Sequence, residues 1–568
     1  MKAFSTRLRL FGAGAILWAA HWVASSAQLE TPGFRWAHPG GGTANDYGTR
    51  IAVDSAGNTF VVGTIESSNA VLGSLILTNS GMFVAKFDAS GVVQWTKQIG
   101  PATNLTFTQS QRIGTDAAGC CYVAGVFHRV VDFDGSSLTS DPVGFDIFIA
   151  KYDGQGNLVW ANRAGEDGVT NTVSDEGFAV DAAGNCYVSG RYGPTTCHFG
   201  TNVLVTSNSY VSSFVAKCDP SGDWLWARNP GGVPTVDFPD IAAIAPGQSS
   251  DYYFCGRFGF ASATVTFGSF TLTNAGVQDA FLVRCDSDGN VLWARRAGGA
   301  DYDGAIDLAL DASGNAYLLG GANGLAVPTL PPIAIDGFIV TNAGVFLAKY
   351  DAAGTVVWAR NASDFGPGII IWPAGAFGIA ADAVGNTYVS GRFYNTASFD
   401  SIVLTNRGGS WTDADGYPSS FIVKYDTDGR ALWAKQFGGG KDNSNNYNDP
   451  KMGITADAAG NCSVTGFFSL TNAPFDTFTL ATSGGDDVFV GRLAADPPRL
   501  SCTLENNSVV LSWLTNQPGF QLECSTSLSA SNSWSSVTNP PVVVGPCNFV
   551  TNEMTLGARF YRLRKQGM

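Results

Sequence analysis

Phe346-Leu347-Ala348-Lys349-Tyr350-Asp351-Ala352-Ala353-Gly354-Thr355-Val356-Val357-Trp358 is one copy of a pattern that the chain writes again from Phe83 to Trp95, Phe148 to Trp160, Phe214 to Trp226, Phe281 to Trp293 and Phe421 to Trp433. Alternating apolar residues on either side of an Asp, small residues and a Gly predict a β-hairpin, because Asp hydrogen-bonds nearby backbone and Gly accepts positive φ. A seventh copy opens at Phe489 and stops before its Trp, while Phe34-Arg35-Trp36-Ala37 stands ahead of the first unit as a Trp-ending strand without a partner. The missing end of the last unit therefore matches the spare segment at the start.

Between these hairpins lies a second one, carried by Asp-x-x-Gly-Asn turns from Asp54 to Gly63, Asp116 to Gly125, Asp181 to Gly190, Asp311 to Gly320, Asp382 to Gly391 and Asp457 to Gly466, with a divergent copy between Ile244 and Gly256. Two hairpins make four strands, here termed A to D. A period above about 60 residues without helical periodicity predicts propeller blades rather than a helical solenoid. The repeats resemble the bacterial SBBP-type seven-bladed β-propeller repeat from Phe34 to Asp496, and that resemblance implies a ring zipped shut by its N-terminal strand, without open sheet edges. The expected fold class is thus all-β: a seven-bladed β-propeller over residues 28–496 closed by an N-terminal strand, then a small β-sandwich over 497–568. That last segment follows Pro497-Pro498. Its runs Leu500 to Glu505, Val509 to Leu514, Phe520 to Ser525, Trp534 to Val537, Val542 to Val544 and Arg559 to Arg564 resemble a fibronectin-III-like or immunoglobulin-like domain.

Composition agrees with a turn-rich β protein: 69 Gly and only 14% charged residues in 568. Lys2, Arg7 and Arg9 precede an apolar run from Leu10 to Val23, and Ser25-Ser26-Ala27 supplies small residues, so residues 1–27 read as a signal peptide. A run this short predicts cleavage rather than a membrane span. The expected location is outside the cytoplasm, secreted or at the cell surface, with the periplasm as the nearer stop. A formal charge of -14 argues against nucleic acid. Twelve Asp of the hairpin turns need no ligand, because turn chemistry accounts for them and calcium-loop spacing is absent.

In an up-and-down blade the A–B and C–D turns share one face, and the B–C and D-to-A connections share the other. Connection lengths vary on the second face, where binding specificity is expected. Arg191, Arg257 and Arg392 each follow the Gly ending a B strand and precede an aromatic, Tyr192, Phe258 and Phe393; Arg50 and Arg112 open two neighbouring A strands near the axis. Guanidinium forks read carboxylates and sulfates, and aromatic faces stack on sugars, so these eight residues are the candidate ligand site. Pairing with local acids is the plainer account of the same Arg. Trp372 and the stretch from Trp411 to Tyr417 add loop aromatics to that face. The expected partners are a polysaccharide or another surface protein, met by a monomer.

Catalytic material is sparse. His38, His128 and His198 are scattered, no Cys or His spacing suits zinc, and no cofactor is expected. The recurring Trp resemble the tryptophan-docking repeat of quinoprotein dehydrogenases, but the Asp-to-Gly gap is shorter by one and the Cys120-Cys121 pair falls on the A–B turn. Sialidase-type Asp boxes are similar in appearance, again with a different Asp-to-Gly step. The Trp series reads instead as packing between blades. The reading leans away from an enzyme, with a polysaccharide lyase or glycoside hydrolase, then a quinone-dependent dehydrogenase, as the alternatives. Among eleven Cys, Cys186 with Cys197 is a candidate disulfide, as is a pair among Cys502, Cys524 and Cys547; an odd total leaves one thiol over.

Overall fold

The structure is a computed structural model that describes residues 8–10 and 32–565, except 101–110, 141–143, 166–171, 194–195, 206–211, 232–238, 260–262, 324–331, 342–343, 364–375, 394, 407–417, 440–451, 497–499, 506–507, 515–519, 527–533, 545–546 and 554–558. Among the described residues every regular element is a β-strand, and no helix is long and apolar enough to cross a membrane. The chain is an all-β repeat protein in two compact bodies. The first is Thr31–Asp457 with Asn461–Ala494; the second is built on Ala495–Met568 together with Met1–Glu30 and Ala458–Gly460.

The fifth repeat shows how sequence becomes structure in the first body. Strands A (Tyr302–Leu310), B (Ala316–Asn323), C (Val345–Tyr350) and D (Val356–Ser363) hydrogen-bond in that order as an antiparallel meander. At the A–B turn, Asp311 Oδ1 accepts N–H bonds from Ser313 and Asn315, both 2.9 Å, and Oδ2 accepts from the Asn315 amide at 2.7 Å and the Tyr317 hydroxyl at 3.0 Å. Asp351 holds the C–D turn through the N–H groups of Ala353 and Thr355. These bonds are why Asp opens the turns: one carboxylate satisfies backbone donors that the reversal strands. The turn aspartates therefore act as the sequence predicted, as local braces.

One periodic contact joins a repeat to the next, and a second ties the B and C strands within a repeat. Trp36, Trp95, Trp160, Trp226, Trp293 and Trp358 each donate an indole N–H to a carbonyl in the following C–D turn: Ala89, Gly154, Pro220, Ser287, Ala352 and Thr427, at 2.9–3.3 Å. The ring lies so close to that turn that a Cβ on Gly354 would sit 2.7 Å from the Trp293 indole, and Gly354 also has φ +81°. Glycine is required there twice over. One layer away, Lys86, Lys151, Lys217, Arg284, Lys349 and Lys424 of the C strands lie over the B-strand rings of Phe60, Tyr122, Tyr187, Tyr253, Tyr317 and Tyr388, 4.9–5.3 Å from the centroids.

Phe34–Gly41 pairs antiparallel with Asp487–Leu493, setting Ala37 opposite Gly491. It thereby supplies the D strand of the seventh repeat, and its Trp36 docks on the first repeat like the others. Strand A of each repeat touches strand A of the next, and Gly453–Ala456 touches Asp46–Val53.

The B–C connections correct an expectation. Among the described residues, each of the seven contains a short hairpin, such as Val130–Phe133 with Ser136–Thr139 or Thr396–Phe399 with Ile402–Thr405. The hairpin reaches back to the preceding D strand, as Phe133 does to Ile99 and Leu72 to Gly40. Its turn repeats too. A buried Phe133, Phe399 or Phe475 comes first, then Asp134, Asp400 or Asp476 at φ +53°, +50° and +57°. Those Phe rings pack 5.0–5.2 Å from Phe148, Phe421 and Phe489.

In the second body, two sheets bury Val509, Leu511, Trp513, Leu522, Val550 and Tyr561 in one core. Leu8–Leu10, inside the expected signal peptide, pairs with the last strand, Arg559–Lys565. Arg562 of that strand forms an ion pair with Glu523 at 2.6 Å, and Arg564 reaches the same carboxylate at 3.5 Å, so these two guanidiniums brace a sheet.

Candidate functional site

Strand periodicity decides where the candidate residues point. Successive side chains on a strand face opposite ways, so an Arg and the aromatic beside it cannot share a surface. Arg191 and Arg257 are 38% and 31% exposed, whereas Tyr192, Phe258 and Phe393 are buried. The Tyr192 hydroxyl donates to Asn229 at 2.8 Å, and the Phe258 and Phe393 rings pack on Phe281 and Phe421. These three rings stabilise the core and offer no face to a sugar. Arg392 is also buried, its guanidinium 3.8 Å from the centroid of the Phe467 ring.

What the structure does bring together is Arg191 and Arg257 around one carboxylate. Asp240, the first residue of strand A in the fourth repeat, pairs in register with Arg257 on strand B. Its Oδ2 accepts from Arg257 Nε at 3.0 Å and Nη2 at 2.8 Å, and Oδ1 is bonded to Arg191 Nη2 of the preceding repeat. Two guanidinium forks from consecutive repeats thus converge on an acid that remains 23% exposed. Sequence inspection named both Arg and missed Asp240, because the divergent fourth repeat hides the start of its A strand.

Arg50 and Arg112 meet elsewhere. They line a cavity of about 130 Å³ with Phe178, Asp307, Gly378 and Met452, contributed by strands A of several repeats. Each guanidinium donates to the carbonyl just before it, Thr49 at 2.7 Å and Gln111 at 2.9 Å. The Asp307 carboxylate accepts the N–H groups of Ile379 and Leu308 at 2.9 and 2.7 Å. Trp372 and the stretch from Trp411 to Tyr417 lie outside the described residues.

Other polar groups belong to the scaffold. His38 stacks on Trp36 and Phe87, and burial pushes its pKa below the usual value. Among the described residues no group of three or more His, Cys, Asp or Glu could hold a metal. The structure holds no disulfide among the described cysteines, Cys186, Cys197 and Cys218 included.

Burial raises the pKa of more than one carboxyl, Asp303 and Asp487 among them. Asp303 is 4% exposed, and burial raises its pKa to about 6, with nearby Asp279 and Asp301 adding to the rise against the Gly299 N–H bond. A group protonated more readily in the folded than in the unfolded state stabilises the fold at low pH, and this contribution disappears as pH rises from about 4 to about 6. Asp303→Asn is therefore expected to raise stability at pH 7.5 by about 2 kcal/mol and to change it little at pH 4. Urea unfolding at both pH values checks this; equal effects at the two would refute it.

No protein-family model matches the chain. It is 24% identical over 468 residues to an uncharacterized WD repeat-containing protein of Acanthamoeba polyphaga mimivirus, covering 68% of this chain and 32% of that one. It is 26% identical over 298 residues to the regulatory protein FlaEY of Caulobacter vibrioides, covering 49% and 30%. The chain thus spans about a third of the length of the curated relatives it matches. Solved structures that align include a puromycin hydrolase, at 12% identity and TM-score 0.34 over 76% of this chain and 62% of that one. An acylaminoacyl peptidase aligns at 9% identity and TM-score 0.29 over 72% and 59%.

Proposed function

We propose that this is an exported, monomeric binding or scaffold protein without enzymatic activity, whose connection face takes an anionic polysaccharide. In this reading the first body is a closed seven-bladed β-propeller of SBBP-type repeats, and the second is a fibronectin-III-like module. The closing strand at Phe34–Gly41 and the succession of A-strand contacts that returns to Asp46–Val53 support the ring. Export follows from the basic, apolar and small-residue order of residues 1–27. A WD repeat-containing relative and a regulatory one accord with a role in holding partners rather than converting them.

The observation that carries the ligand class is the Arg191–Asp240–Arg257 cluster. Asp240 occupies the place that a uronate carboxylate or a sulfate would take between the two forks, and all three side chains remain partly open to solvent. A glycan array with the mature protein tests the reading. Binding to sulfated or uronic acid-rich chains without product release is expected, and the double variant Arg191→Ala with Arg257→Ala is expected to bind at least about tenfold more weakly. Its stability should change by less than about 1 kcal/mol, because partly exposed ion pairs contribute little. Unchanged binding by the double variant would remove the site; chain cleavage would make the protein a lyase or hydrolase. Capture of a surface protein with no response on the glycan array would replace the ligand class.

A further inference from the structure

The B and C strands of every repeat face one another at a single register position just beyond the A–B turn. The pairs there are Thr59 with Phe87, Cys121 with Tyr152, Tyr252 with Cys285, Ala316 with Tyr350, Thr387 with Tyr425 and Cys462 with Leu493. Each sets one small side chain against one large one, which fills the layer. The third repeat breaks the rule: Cys186 of strand B (Cys186–Tyr192) faces Cys218 of strand C (Ser212–Cys218), thiol against thiol. Elsewhere, Cys at this position does the packing work of Thr or Ala. Here neither partner is bulky, and Trp224 packs into the same core.

Directly opposed residues on antiparallel strands have Cα atoms about 4.5 or 5.5 Å apart and side chains on the same face. A disulfide needs about 4.4–6.8 Å between Cα atoms, so the opposed register of Cys186 and Cys218 falls within its reach. Both residues are buried, at 0% and 1% exposure. Burial, then contact with the Cys218 thiol, pushes the Cys186 thiol well above its usual pKa, so thiolate attack by Cys186 is disfavoured once the core has closed and a bridge would form before that.

We propose that Cys186 and Cys218 form a cross-strand disulfide during oxidative folding, in place of the Cys186–Cys197 pairing suggested by sequence. The two thiols lose two protons and two electrons as the S–S bond forms. A dithiol–disulfide oxidant, or glutathione disulfide, accepts the electrons and is reduced to two thiols. In the cell this requires the oxidising compartment implied by export; in the test tube it does not, which separates the two readings.

The full chain is refolded in a glutathione redox buffer, denatured without reductant, alkylated, and mapped by peptide mass spectrometry. The expected product is a peptide pair linking Cys186 to Cys218, lighter by two hydrogens than its reduced form. Reductant should lower the denaturation midpoint of the wild type and leave that of Cys218→Ala unmoved, while Cys197→Ala keeps the link. Full alkylation of both thiols, or a link from Cys186 to Cys197, would overturn the assignment. Should a variant fail to refold, the wild-type peptide map alone decides.

Discussion

Arg492→Ala is expected to destabilise the first body by about 3–5 kcal/mol, the range for removing one partner of a buried ion pair. Arg492 takes the position that Lys86, Lys151, Lys217, Arg284, Lys349 and Lys424 hold in the other repeats. Its side chain is 3% exposed and bonds Asp457 of its own repeat at 2.5 Å, while Nη1 donates to the Gly57 carbonyl and, at 3.4 Å, to Thr59 of the first repeat. Truncation would leave the Asp457 carboxylate and a turn carbonyl short of a donor at the seam between the chain's first and last repeats. Arg492→Lys should recover part of the loss, since Lys serves at this position in five repeats but cannot span both acceptors as a fork. Guanidinium unfolding of the three proteins measures the series. A loss below about 1 kcal/mol for the Ala variant would show that the seam does not depend on this residue.

Trp293→Ala should cost a similar amount, about 3–5 kcal/mol, the range for truncating a large buried aromatic. The ring is 6% exposed, stacks on Tyr350 and meets Tyr253 edge-on. Its N–H reaches Ala352 at 3.1 Å, and the Arg295 guanidinium lies 5.7 Å from the ring centroid. Trp293→Phe keeps part of the packing and loses the hydrogen bond, so an intermediate cost is expected. Equal losses for Phe and Ala would assign the effect to the hydrogen bond rather than to the ring. Calorimetry of the intact chain distinguishes these outcomes, because the domino-like dependence of neighbouring repeats should show as a lower, broader transition.

Much of this architecture was legible because turn chemistry is local. Asp311, Gly314 and Asn315 state their hydrogen bonds within five residues, so the turn can be read without knowing what surrounds it. The orphan Trp36 was legible for a different reason: a missing element at one end of a repeat array and a spare at the other leave few places to go. The short hairpins in the B–C connections escaped notice, although Asp132-Phe133-Asp134-Gly135, Ser398-Phe399-Asp400 and Pro474-Phe475-Asp476 repeat their turn. Strands of three or four residues contain too few alternations to register as a period. Cys547–Glu553 was missed in the second body because Asn548, Thr551 and Asn552 make it look like a loop, while only its pairing with Ser508–Leu514 makes it a strand. Of the candidate residues, Arg191 and Arg257 meet at Asp240, whereas Arg392 and the three rings are buried in the core. Arg191 and Tyr192 are neighbours in sequence and point to opposite sides of a sheet.

The pairing of Phe34–Gly41 with Asp487–Leu493 sets a timetable for biogenesis. A nascent chain carries Phe34–Gly41 through the synthesis of all the intervening repeats while Asp487–Leu493 is still untranslated. Contacts between such distant segments form slowly and late, so the emerging polypeptide should stay incompletely assembled and open to chaperones until Asp487–Leu493 has emerged.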